Sequence, residues 1–167
     1  MDLDVEHPHR KKLPGFRIAM YLLTAVAAWG AWTYSLLILE QAEFTVVNAT
    51  VMNIRSGMRT EEARRILQGL PPLASGGNPA RFLTVAPMGY VEERDLPAQI
   101  NPGAWYYRSA DETLYYLPKR HNHLHFLSVT NGTVLGWKVD LTPDSTKALT
   151  LQSVIPYRWF CRPERRT

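Results

Sequence analysis

From Ile18 to Leu39 the chain runs twenty-two positions without a charged side chain, IAMYLLTAVAAWGAWTYSLLIL, between Arg17 and Glu40. At about 1.5 Å rise per residue, a helix of that length reaches about 33 Å, enough to cross a hydrocarbon core of about 30 Å. A helix buried in a soluble core is usually shorter and keeps a polar stripe, so the pattern predicts a membrane span. Beyond Glu40 the pattern changes. Val47, Val51, Ile54 and Met58 recur at i, i+4, i+7 and i+11, which is one face of a helix. No proline falls between residues 16 and 58, so the span is expected to continue as one rod and to break near Ser56-Gly57. A second helix is expected from an N-cap at Thr60, with Glu61 and Glu62 in its first turn, ending before Pro71-Pro72.

After the Gly- and Pro-rich stretch PPLASGGNPA the periodicity becomes that of strands. RFLTVAP predicts a strand from Arg81 to Ala86. GAWYYRS and TLYYLP predict a hairpin around Ala110-Asp111. LHFLSVT and TVLGWKVDL flank Asn131-Gly132, a dipeptide suited to a two-residue type I′ turn. Closure there would pair Phe126 with Trp137 and Leu124 with Val139 on a core face. His125 would pair with Lys138, and His123 with Asp140, on a wet face. ALTLQSV predicts a last strand after the turn LTPDSTK, and Tyr157, Trp159 and Phe160 could cap the sheet. The predicted class is α+β: a transmembrane helix extended outside the membrane and packed on a small antiparallel β-sheet. The expected segments are a tail or leader at 1–15, the transmembrane helix at 16–40, a helical extension at 41–70 and an antiparallel β domain at 71–167.

The net charge of +4 changes this picture only through its distribution. Arg10, Lys11, Lys12 and Arg17 precede the apolar run, whereas Glu40 and Glu43 follow it, and the next basic residue is Arg55. Basic flanks favour the cytoplasmic side, so the N-terminus is expected inside and the bulk of the chain outside. A cleaved secretory signal fits less well, because the run is long for a signal and no small-x-small site follows it. The positive residues form no dense patch interleaved with stacking aromatics, which speaks against nucleic-acid binding. Cys161 is the single cysteine, so no intrachain disulfide can staple the outer domain.

Candidate chemistry is sparse. His121, His123 and His125 alternate in RHNHLH, and on a strand their imidazoles would share one side at about 6.6–6.8 Å steps. That spacing is wide for three ligands to one ion, so a solvated face is the expected reading and a metal site the lesser one. Ser128 and Ser153 lack a nucleophile-elbow context, and Cys161 sits among Arg158, Arg162 and Arg165 without a nearby histidine. Glu92-Glu93 and Asp111-Glu112 read as solvated loop and turn charges. The N-x-T sequons at Asn48 and Asn131 are accounted for by the rod and by the turn. No cofactor, small-molecule substrate or enzymatic activity is expected. The alternative to a structural role is a membrane-tethered periplasmic metal- or ligand-binding domain that uses His121, His123 and His125.

Two parts of the chain resemble pilin-like and pseudopilin-like components of bacterial type IV pilus (MSHA-type) and type II secretion machinery. One is a short basic leader ending KKLPG, followed by Phe16 opening an apolar helix. The other is the ordered series GGNPARFL, PMGYVEE, PGAWYYRSADETLYYLP and LGWKVDL. The resemblance implies a candidate processing junction at Gly15-Phe16. It also implies an inner-membrane location with a periplasmic domain, and a role as an assembly or structural subunit whose partners are other pilin-like or inner-membrane subunits. Met20 stands at the fifth place after that junction, where major pilins carry Glu, so the resemblance implies a minor subunit. Ala25, Ala28 and Gly30, with Trp29 and Trp32, are the expected helix-packing positions against partner spans.

Overall fold

The computed structural model describes residues 14–93, 100–127, 133–141 and 149–160. The chain divides into two compact units between Leu39 and Glu40. One helix, α1 (Pro14–Leu67), supplies both the described part of the first unit and the opening of the second. In the first unit every residue from Gly15 to Leu36 is exposed. α1 is long and apolar enough to cross a membrane, and none of its most apolar eighteen-residue stretch is buried. Its hydroxyl side chains bond inward to their own helix. Thr24 donates to the Met20 and Tyr21 carbonyls, Thr33 to Gly30, and Ser35 to Ala31 and Trp32. Such back-bonding removes the penalty of placing a hydroxyl in hydrocarbon.

The second unit is a small α+β domain. Its strands are β1 (Tyr90–Val91), β2 (Trp105–Arg108), β3 (Thr113–Tyr116), β4 (Leu124–Phe126), β5 (Leu135–Leu141), β6 (Leu149–Ser153) and β7 (Tyr157–Trp159). Five of them form a sheet in the order β1-β2-β3-β5-β6, and β4 pairs with β7 separately. The larger sheet is mixed rather than purely antiparallel, because β1 runs parallel to β2 through Tyr90↔Trp105. The expected 105–116 hairpin forms, with Trp105 opposite Tyr116 and Arg108 opposite Thr113. Val47, Val51, Ile54 and Met58 are buried as their spacing predicts. They join one core with Trp105, Leu114, Tyr116, Leu135, Trp137, Val139 and Leu151, drawn from alternating positions of four strands. Trp105 lies between Tyr116 and Trp137, with ring centroids 4.7 and 5.4 Å away.

Three expectations fail for physical reasons. The helix does not break at Ser56-Gly57, nor does a new one start at Thr60: α1 continues to Leu67, and the Thr60 hydroxyl donates to the Ser56 carbonyl inside it. Gly57 is a close-approach residue, since a methyl group there would overlap the Phe82 carbonyl oxygen. The strand expected at Arg81 is instead a 3₁₀ turn, Pro79–Phe82. Asn78 caps it by accepting from Ala80 N at 2.9 Å, and Pro79 presets the first φ.

The hairpin across Asn131-Gly132 is the largest miss. β4 pairs with β7 through Leu124↔Trp159 and Phe126↔Tyr157, so Phe126 does not face Trp137 and Leu124 does not face Val139. Both edges of β5 are taken by β3 and β6, in registers that align Leu114 with Trp137 and Val139 with Leu151. Burial of those side chains outweighs a local turn preference worth far less. The wet-face pairs fail with it: His125 lies opposite Arg158, and Lys138 lies between Thr113 and Gln152. The Asn131-Gly132 and LTPDSTK turns, the basic cluster at 10–12 and Cys161 lie outside the described residues.

Candidate functional site

The same helical phase that buries Val47 places Glu40 two turns earlier on the same face. Glu40 is 1% exposed. One of its carboxylate oxygens accepts from the His123 backbone N–H at 2.9 Å and from the Trp159 indole N–H at 3.1 Å. The other contacts His123 Nδ1 at 2.9 Å, which fixes the Nδ1–H as donor. One turn on, Glu43 accepts from the Tyr116 hydroxyl at 2.8 Å, from Lys119 N at 2.6 Å and from Arg120 N at 3.2 Å. Phe44 lies edge-on to Trp159 at 5.7 Å and to Phe160 at 5.9 Å, and the His123 ring stacks on Phe160. Two carboxylates on α1 thus clamp the segment 116–123 and the C-terminal strand.

Charge and burial act in opposite senses at Glu40. Burial pushes its carboxyl up, but the His123 side-chain and backbone donors and the Trp159 indole together hold it below the usual carboxylate range. Tyr116 is pushed well above the usual phenol range by burial and by the Glu43 carboxylate. Both carboxylates spend their oxygens on donors from other elements. The clamp is therefore a fastening of domain elements onto the first turns after Leu39.

A second feature is an open groove of about 980 Å³ lined by Ser56, Thr60, Glu61, Arg65, Arg81 and Phe82, among others. Its carboxylate, Glu61, bonds Arg64 and Arg65 and is pulled down to about 2, far from the value that suits a general base. Its walls are mixed and open.

The structure disperses most of the residues that the sequence singled out. His125 lies on β4, and His123 precedes that strand and bonds Glu40. The His121 carbonyl accepts from Leu124 N. Among the described residues no three metal-ligating side chains converge. Asp111 accepts from Arg108 and from the Tyr115 hydroxyl, and Glu93 takes the Ser109 N–H and hydroxyl, so both brace the 109–112 turn. The Arg108 guanidinium chiefly holds the Asp111 carboxyl below its ordinary value. Gly15 and Phe16 sit in the first turn of α1. Ala25, Ala28, Trp29 and Trp32 share a helix face, whereas Gly30 points about 140° away from Ala25. All five are exposed.

Glu40, Glu43 and Trp159 are the residues that sequence reasoning passed over as a site. The signal for Glu40 was present, since seven residues before Val47 is the same face. Compared with known proteins, the chain matches no family model, no curated protein and no solved structure.

Proposed function

We propose that the protein is a single-pass inner-membrane protein with a cytoplasmic N-terminus and a periplasmic α+β domain. In this reading it serves as a minor pilin-like assembly subunit of a type IV pilus or type II secretion machinery. The observation that carries it is α1: an exposed apolar run continues without a break into a helix whose buried stripe and paired carboxylates hold a small sheet. That is the arrangement the resemblance implies for a subunit that is anchored by one half of a helix and builds its domain on the other. The role is physical rather than chemical. The span presents the face of Ala25, Ala28, Trp29 and Trp32 to partner spans, and the domain offers its surface to neighbouring subunits. The resemblance also suggests processing at Gly15-Phe16, and a mature chain beginning at Phe16 would support it.

The test is cysteine cross-linking in intact membranes. Single cysteines at Ala25 or Ala28, on a Cys161→Ser background, should cross-link to pilin-like subunits, and loss of the gene should reduce assembled filaments or secretion. A protein recovered in the soluble fraction, or a deletion strain with unaltered filaments and secretion, would overturn the proposal.

A further inference from the structure

The carboxylate clamp collects basic side chains at one end of the second unit. Glu43 takes the backbone N–H groups of Lys119 and Arg120, while Glu40 takes both the backbone N–H and the ring Nδ1 of His123. Lys119, His121, His123 and His125 are exposed, Arg120 is partly so, and exposed Arg158 lies opposite His125 in the β4–β7 ladder. Lys119 is also shaped for this place. Its aliphatic stem lies over Gly103, where an added methyl would overlap Lys119 Cε, and this leaves the ammonium group at the surface.

The acidic side chains lie elsewhere. Tyr116, at the clamp, is one end of β3. Asp111 and Glu112 occupy the turn before its other end, Thr113, and Glu93 bonds that same turn. Asp140 lies on β5 beyond Lys138, which pairs with Thr113, and so extends farther from the clamp. Glu61 and Glu62 follow Glu40 by about 30 Å along α1. Glu92 follows Val91, which lies opposite Tyr106 on the way to the 109–112 turn, whereas Glu40 and Glu43 bond the 119–123 segment itself and are committed to the clamp. Arg120 keeps a 3.9 Å contact with Glu43, whereas Lys119 and Arg158 have no acidic partner among the described residues.

The place of this basic end decides its partner. The clamp carboxylates stand one and four residues after Leu39, where the apolar run ends, so the loop they hold is fastened within about 6 Å of rise of that point. Resting on the membrane-anchor reading above, we infer that Lys119, Arg120, His121, His125 and Arg158 form a docking surface for the anionic headgroups of the leaflet from which the helix emerges. Lys and Arg donate to lipid phosphates, and the imidazoles add further donors. These residues lie 80 or more positions beyond Leu39 in sequence and so fall outside the flanking charges that set topology.

The test uses the full chain in vesicles of phosphatidylcholine, with or without phosphatidylglycerol, carrying a headgroup spin label. A fluorophore is placed at Asn122→Cys and, as a distal control, at Ala63→Cys, each on a Cys161→Ser background. Quenching at position 122 should rise with phosphatidylglycerol and fall as salt shortens the screening length from about 10 Å at 0.1 M to about 3 Å at 1 M. Position 63 should not respond. Lys119→Gln and Arg158→Gln should each weaken the phosphatidylglycerol-dependent part about fivefold, with the melting transition unchanged. A floated, folded protein whose quenching at 122 ignores phosphatidylglycerol overturns the docking surface alone. So does quenching reversed by inorganic phosphate but not by chloride at equal ionic strength, because that would mark a discrete anion pocket. A chain that does not float with the vesicles overturns the anchor reading and this one together.

Discussion

α1 carries two halves of nearly equal length that solve opposite problems. From Ile18 to Leu39 the chain is uncharged and, Leu37 apart, exposed, and the Thr24, Thr33 and Ser35 hydroxyls turn back onto their own backbone. From Glu40 to Leu67 polar residues cover most of the surface, while one stripe of Val47, Val51, Ile54 and Met58 is sealed against the sheet. The first half needs a surrounding medium, whereas the second carries its own. What separates them is the reach of polar groups: before Leu39 it stays within the helix, and after it, although Thr45, Thr50 and Thr60 still bond their own helix, Glu40, Glu43 and Arg55 bond other elements. Glu40 is the first to do so, contacting residues 83 and 119 positions later in the chain.

The comparison breaks most visibly at Ile54, which is fully buried. Ile54→Ala should cost about 4 kcal/mol, near the upper end for a large-to-small core change. Val26→Ala removes apolar surface in the exposed half and should leave the stability of the second unit within about 0.5 kcal/mol. Near-UV circular dichroism in detergent, with urea as denaturant, reads both. Equal losses would show that the two halves do not differ as described.

Glu40→Ala should cost about 3 kcal/mol, because it leaves the Trp159 and His123 donors without their acceptor. The sign with pH follows from the lowered carboxyl. That contribution is present above the ordinary carboxylate value of about 4.5 and is lost as pH falls through the lower folded value. Tyr116, raised by burial and by Glu43, gives the mirror limb: its contribution holds below the ordinary value of 10.0 and is lost above it. Melting temperature against pH should therefore fall at both extremes. Glu40→Gln should flatten the acid limb and Tyr116→Phe the alkaline one. An acid limb unchanged in Glu40→Gln would show that other carboxylates carry it.

Gly57→Ala should cost about 2 kcal/mol through overpacking against the Phe82 carbonyl, although alanine is the better helix former. Gly30→Ala, with nothing within 4 Å of the added methyl, should be neutral or slightly stabilising. The two glycines thus distinguish a close approach from an open helix surface, and thermal melts read the difference. Loss of stability at both would mean that the first half also packs tightly.

These residues also show what the sequence could disclose. The exposed run, the buried stripe and the 105–116 hairpin were legible because each rests on a local period or on a short turn between matched strands. The pairing of β4 with β7 was not, because it joins segments some thirty residues apart and is decided by where Trp159, Tyr157 and Phe126 find cover. Gly57 was read as a breaker because nothing local reveals Phe82 lying against it. Asn78-Pro79 did carry its own signal for a capped turn, but the apolar run that follows it masked that signal. The clamp was half legible: the phase of Glu40 was countable, whereas its donors come from segments that only the fold brings near.

The smallest effect tests the direction of polar reach. The Arg55 guanidinium donates to the Leu151 carbonyl on edge strand β6 at 3.3 Å, across 96 positions of sequence. Arg55→Ala should cost about 1 kcal/mol, the usual net value of one hydrogen bond. It should also leave the β6 edge barer and more prone to pair with another chain. The counterpart is Thr33→Val, which removes a hydroxyl bonded only to the Gly30 carbonyl of its own helix. That change should leave both stability and self-association unaltered, because no other element depended on it. Urea titration and analytical ultracentrifugation in detergent read the two outcomes. If Arg55→Ala neither destabilises nor promotes self-association, the long reach of the second half is confined to Glu40 and Glu43, and the divide between the halves is a property of the clamp rather than of the whole helix.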